Sequence, residues 1–106
     1  MRYYLSGAIT DQPNFKEYFQ KHEDELRHWG LCDIFNPASL DWLDDASWEV
    51  CMRYDIEKLM SCDILVLLPN WKKSKGAKVE ADLCKKIGIP VIKFNDLIRK
   101  LMPHAT

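Results

Sequence analysis

Short apolar runs alternate with amphipathic stretches along this chain. Met1 to Leu5, with the run Tyr3-Tyr4-Leu5, reads as a first strand ended by Ser6-Gly7. It shows little polar alternation, as expected of a strand covered on both faces. Ser6 to Thr10 is a loop of small residues, which lets backbone N–H groups approach a ligand. Asp11-Gln12-Pro13-Asn14 is turn chemistry. Phe15, Tyr18, Phe19, His22, Leu26 and Trp29 then recur on one helical face, with Asn14 placed as N-cap and Gly30 as the stop. His22 lies on or beside that face and reads first as a core-edge histidine.

Leu31 to Phe35 reads as the second strand, closed by Asn36-Pro37-Ala38-Ser39. Leu40 to Ala46 has no clean period and reads as a loop with at most a short turn. Its acids Asp41, Asp44 and Asp45 read as solvated, and a long loop in a small domain also suits a lid or binding loop. Ser47 can cap a helix from Trp48 to about Met60. Trp48, Cys51, Asp55, Leu59 and Cys62 form one stripe of it, with Met52, Ile56 and Met60 beside them. Asp63 opens a third strand, Ile64 to Leu68, the most apolar segment of the chain. A helix from Gly76 to Ile87 follows, with Val79, Leu83, Cys84 and Ile87 apolar and Gly88 as its stop. Ile89 to Phe94 reads as a fourth strand with Pro90 near its start, where a missing N–H is tolerated. Asn95 is placed as the cap of a last helix ended by Pro103, after which the chain is expected to fray.

The order β-α-β-α-β-α-β-α predicts an α/β fold, a flavodoxin-like (Rossmann-like) three-layer sandwich with a parallel sheet of four to five strands. A strand order 2-1-3-4 sets the Ser6-Gly7 loop beside the loop around Ser74. In such sheets ligands sit beyond the carboxyl ends of the strands.

The length of 106 residues fits one domain, and a net charge of −1 gives no global field for nucleic acid or anionic membrane. No polymeric nucleic acid and no membrane are expected as partners. The longest apolar run falls far short of the ~20 residues of a membrane span, and no leader pattern precedes Asp11. Cys32, Cys51, Cys62 and Cys84 form no C-x-x-C pair and no metal-like spacing with the histidines. They read as buried small hydrophobes of a reduced, cytoplasmic protein.

Candidate chemistry gathers in the run Pro69 to Glu80. The dinucleotide fingerprint, the phosphate-loop motif and the serine-hydrolase elbow are all absent. What remains is a pair of carboxylates, Asp55 and Glu80, both expected at the carboxyl edge of the sheet. Asp55 interrupts an apolar stripe, so it either pairs with Arg53 or Lys58 at the stripe's edge or serves a site. Glu80 lies within two turns of a helix start. The dipole there favours its ionised form whether it is a surface residue or a nucleophile for an anomeric carbon. Lys72, Lys73, Lys75 and Lys78 either steer a phosphate or line a solvated loop. Trp71 either stacks on a base or packs over the loop.

Taken in order, Tyr4 to Thr10, Phe35-Asn36-Pro37-Ala38, Arg53-Tyr54-Asp55, Cys62-Asp63, Leu68 to Trp71 and Ser74-x-Gly76-Ala77-x-x-Glu80 form a set of motifs. It resembles the nucleoside 2-deoxyribosyltransferase-like superfamily over roughly residues 2 to 94. Its serine-to-glutamate spacing is the most specific part. The resemblance implies a flavodoxin-like, homo-oligomeric enzyme that cleaves the N-glycosidic bond of nucleosides or their 5′-monophosphates, without metal or organic cofactor. It implies Glu80 as nucleophile, Asp55 as the acid that protonates or holds the base, and Tyr4 as the orienting phenol. It further implies Ser74 at a 5′-phosphate and Ser6 and Gly7 in the first loop. Gly76, Trp71 and Asn36 join the substrate-binding set through the motifs that contain them. Lys75 and Lys78 stand where small or apolar residues are usual. A nucleotide-binding module without turnover is the alternative on the same fold.

Overall fold

The computed structural model describes residues 1–40 and 45–103. The expectations for Asp41, Asp44 and residues 104–106 fall outside them. Among the described residues four strands, β1 (Tyr3–Ser6), β2 (Ile34–Phe35), β3 (Ile64–Leu67) and β4 (Val91–Lys93), alternate with four helices. The helices are α1 (Phe15–His28), α2 (Trp48–Leu59), α3 (Lys75–Ile87) and α4 (Phe94–Leu101). Short 3₁₀ turns at Pro37–Ser39 and Trp71–Lys73 follow β2 and β3. The strands pair in parallel in the order β2-β1-β3-β4, so β1 and β3 are central. This is the flavodoxin-like three-layer arrangement.

Side chains along a strand alternate between faces, and two cores result. Leu5, Val66 and Leu68 pack with Phe19 and Leu26 of α1 and Phe94 and Leu97 of α4. Tyr4, Leu65 and Leu67 pack with Leu59 of α2 and Ala81 and Cys84 of α3. Burial on both faces explains why β1 and β3 read as continuous apolar runs. His22 sits at the α1 core, buried, with Nδ1–H donating to the Tyr18 carbonyl at 2.7 Å.

Several local expectations change. β2 and β4 are shorter than their apolar runs suggest, since only Ile34–Phe35 and Val91–Lys93 pair with a neighbouring strand. Cys32 therefore falls in the exposed approach to β2, and the four cysteines form no disulfide. Asn14 precedes α1 but makes no side-chain capping bond. α4 starts at Phe94, directly after β4, and places Asn95 inside its first turn. Buried Phe94 and Leu97 fix that start without a cap. α3 presents Ala77, Glu80, Ala81 and Cys84 to the sheet, while Val79 and Ile87 are 39% and 50% exposed. Small residues let the helix lie close to the strands, and that choice turns its larger apolar stripe outward. Among the described residues no helix is long and apolar enough to cross a membrane.

Candidate functional site

The site is built on the period of β1. Tyr4 and Ser6 are two residues apart, so both project toward the α2/α3 layer. α3 supplies the facing group. Ser74 starts that helix, its Oγ accepting from the Ala77 N–H at 3.0 Å, and Glu80 falls on the buried face. The Tyr4 hydroxyl donates to Glu80 Oε2 at 2.5 Å, and the Ser6 hydroxyl donates to Oε1 at 2.8 Å. Glu80 is 5% exposed.

Asp55 comes from the inward face of α2. It is buried, its Oδ1 has no hydrogen-bond partner, and no ion pair involves it among the described residues. Lys58, one of its possible partners, lies instead over the Tyr54 ring, 5.2 Å from the centroid. A buried carboxyl without a donor is costly to ionise. Its pKa is accordingly raised by burial to about 6. Burial also raises Glu80, to about 7, against the two hydrogen bonds that lower it, and the Asp55 charge raises it further. Burial and the two carboxylates hold the Tyr4 phenol well above its usual range, so it remains a donor. The donors are aimed at Glu80, which is where the arrangement supports negative charge.

Both carboxylates open on a cavity of about 690 Å³ at the carboxyl edge of the sheet. Tyr4, Asp55 and Glu80 all line it, and so do Ser6, Gly7, Ser74 and Gly76. Two expected substrate residues lie elsewhere. Trp71 packs against the α2/α3 core and does not line this cavity. Asn36 folds its own loop: Oδ1 accepts from the Ala38 N–H at 2.9 Å and Nδ2 donates to Glu23 at 3.1 Å. Of the four lysines, Lys73 and Lys75 reach the cavity wall.

Sequence reading missed three contributors. Trp48, at the start of α2, lines the cavity, and Lys75 Nζ lies over its ring, 4.1 Å from the centroid. Asn70 ties the two loops together, its Oδ1 accepting from the Ala8 N–H at 3.1 Å. Asp11, also in the wall, holds a left-handed φ of 61°, uncommon for a residue with a side chain. The turn residues around Asn70 and Asp11 were visible as turns, but nothing in the sequence shows which loop each one meets. Among the described residues no group of three or more His, Cys, Asp or Glu is placed to hold a metal ion.

Fold and site together define an α/β protein with a buried, doubly tethered carboxylate facing a cavity at the switch point of a parallel sheet. A family model described as a domain of unknown function, DUF4406, matches residues 1–93, and the chain belongs to that family. No curated protein matches it.

Proposed function

We propose that this protein cleaves the N-glycosidic bond of a (deoxy)nucleoside 5′-monophosphate, or of a nucleoside, with Glu80 as nucleophile. The reading joins it to the nucleoside 2-deoxyribosyltransferase-like superfamily. The observation that carries it is the pairing of Glu80, held by Tyr4 and Ser6, with unpartnered Asp55 in one cavity wall.

In this mechanism a Glu80 oxygen bonds to C1′ as the bond from C1′ to the base nitrogen breaks. The electron pair goes to the base, which takes the Asp55 proton. Water then adds to C1′, Asp55 takes its proton, and Glu80 leaves as a carboxylate. A second base in place of water gives transfer rather than hydrolysis. The empty site holds a proton on Glu80 to higher pH than on Asp55. A bound base strips water from Asp55 and raises it, and the positive charge that develops at C1′ as the bond breaks lowers Glu80, so the order inverts on the way to the transition state. The Ser74 hydroxyl and the first amides of α3, with Lys73 and Lys75 nearby, suit the 5′-phosphate.

Chromatography of the full chain incubated with a panel of nucleosides and their monophosphates tests this. Released base is expected with wild type and is lost with Glu80→Ala. No release from any substrate defeats it. A second reading, a nucleotide-binding module without turnover, draws on the depth of Glu80 and the engagement of both its oxygens. Thermal stabilisation by the same panel, without product, favours it. The wider reading is a cytoplasmic homo-oligomer needing no metal or cofactor. Its supports are four cysteines that form no disulfide and the exposed α3 stripe of Val79 and Ile87.

A further inference from the structure

A second cavity, of about 540 Å³, opens between the start of α1 and the loop after β3. It shares two wall residues, Phe15 and Lys73, with the cavity that holds Glu80. Its character is different. Gln12, Asn14 and Asn70 offer neutral amides and Phe15 and Tyr18 offer rings, and among the described residues Lys73 is the one cation of its wall and no acid lines it. Asn14 makes no capping bond to α1. Tyr18 is held in the wall by ring contact with His22, the centroids 4.4 Å apart.

Each cavity alone is within the usual range for a small ligand, about 300–1,000 Å³. A mononucleotide seated against Glu80 with its phosphate at Ser74 leaves the second one unused. Rings stack on a planar group, amides read the donors and acceptors on its edge, and a lysine at the junction suits an anionic linker. We propose that the ligand is two-lobed: a nucleotide whose 5′ side carries a diphosphate joined to a second planar group. The nucleoside lies against Glu80, the diphosphate passes Lys73, and the second group lies on Phe15 and Tyr18. This rests on the glycosidase reading and names its substrate class. The bond changes are the same: C1′–N breaks, water supplies the hydroxyl at C1′, and the diphosphate and second group stay on the sugar.

The test compares, for each of four bases, the nucleoside monophosphate, the diphosphate and the symmetric dinucleoside 5′,5′-diphosphate. Affinity is measured on the full chain carrying Glu80→Gln, which leaves the ligands intact, and kcat/KM for base release on wild type. The dinucleotide is expected to bind about tenfold more tightly than the diphosphate of the same base, the gain of one stacked ring. Gln12→Ala with Asn14→Ala removes most of that gain and leaves monophosphate binding unchanged. If monophosphates bind and release base but the dinucleotide gains nothing, this proposal falls and the glycosidase reading stands. A gain untouched by the Gln12 and Asn14 changes also overturns it, because the second group then lies elsewhere. If no nucleotide of any kind binds or reacts, both fall.

Discussion

Tyr4 and Glu80 lie 76 positions apart in the chain and are joined by a 2.5 Å hydrogen bond from the phenol to Oε2. The contact couples the central strand β1 to helix α3 through a carboxylate that would otherwise be a poor choice for a buried helix face. With Ser6 on the other oxygen, Glu80 has a fixed orientation and a donor for each oxygen. Removing either donor leaves the carboxylate in place but weakens the support for its charge. Tyr4→Phe and Ser6→Ala are therefore expected to fold and to raise the Glu80 pKa further. A hydrogen bond to a charged group contributes about 1.5–3 kcal/mol, so the alkaline limb of the kcat/KM profile, set by the higher of the two groups, should move up by about one unit or more and the maximum should fall. A base-release profile in which that limb stays put would show that these bonds do not set the nucleophile's charge.

The same carboxylate makes stability depend on pH in a defined direction. Folded Glu80 holds its proton to about pH 7, whereas an ordinary glutamate loses it near 4.5. Between these values the folded state binds more protons, so its stability falls as pH rises. Asp55, raised from 3.8 to about 6, acts in the same sense over a lower window. The Glu80 lift corresponds to roughly 3 kcal/mol at full ionisation. Urea unfolding should find Glu80→Gln and wild type similar near pH 4 and the variant more stable at pH 8. Equal stability at pH 8 would contradict the burial argument.

Activity needs one proton on the pair, on Asp55, and one charge, on Glu80. With groups at about 6 and about 7, kcat/KM of the free enzyme should be bell-shaped with its maximum between those values. Asp55→Asn removes the acid, so the rate should fall about 10²–10⁴-fold and the alkaline limb should disappear. Persistence of that limb in the variant would assign it to another group.

Asn70 and Gly7 hold the two cavity loops together. A Cβ at Gly7 would stand 2.9 Å from Asn70 Oδ1 and 3.1 Å from Leu68 Cβ. Asn70→Ala leaves the N–H of buried Ala8 without its acceptor. Each change is expected to cost about 1–3 kcal/mol, the first by overpacking and the second by an unsatisfied donor. Thermal melts should show Tm falling by about 4–8 °C per kcal/mol. An unchanged Tm for Asn70→Ala would mean that water replaces the amide at no cost.

The central elements were legible because burial leaves a direct mark on composition. β3, covered on both faces, is an apolar run, and Ser47 and Ser74 cap α2 and α3 as their positions suggest. The ends of β2 and β4 were not, because pairing with β1 and β3, rather than apolarity, decides where an edge strand stops. The inward face of α3 was misread because a helix can bury its small residues and leave Val79 and Ile87 outside. Trp71 and Trp48 could not be told apart by composition. The turn after β3 sends Trp71 to the core, and the start of α2 sets Trp48 in the cavity wall.

What the sequence by itself determined is the alternation of elements, the strand order that follows from it, and a carboxylate at the start of α3 with another on α2. Periodicity, turn residues and crossover handedness are local or chiral rules, and they carry that far. Only the tertiary structure decided that Tyr4 and Ser6 share one side of β1 with Glu80 opposite. It also decided that Asp55 Oδ1 is left without a donor, and that Asn36 and Trp71 lie outside the wall of the cavity that holds Glu80. Those outcomes depend on the rotation of α3 against the sheet, fixed by packing of small side chains across elements far apart in the chain. The loop from Pro69 to Glu80 thus supplies the nucleophile candidate through its helix, while its tryptophan closes the core beneath.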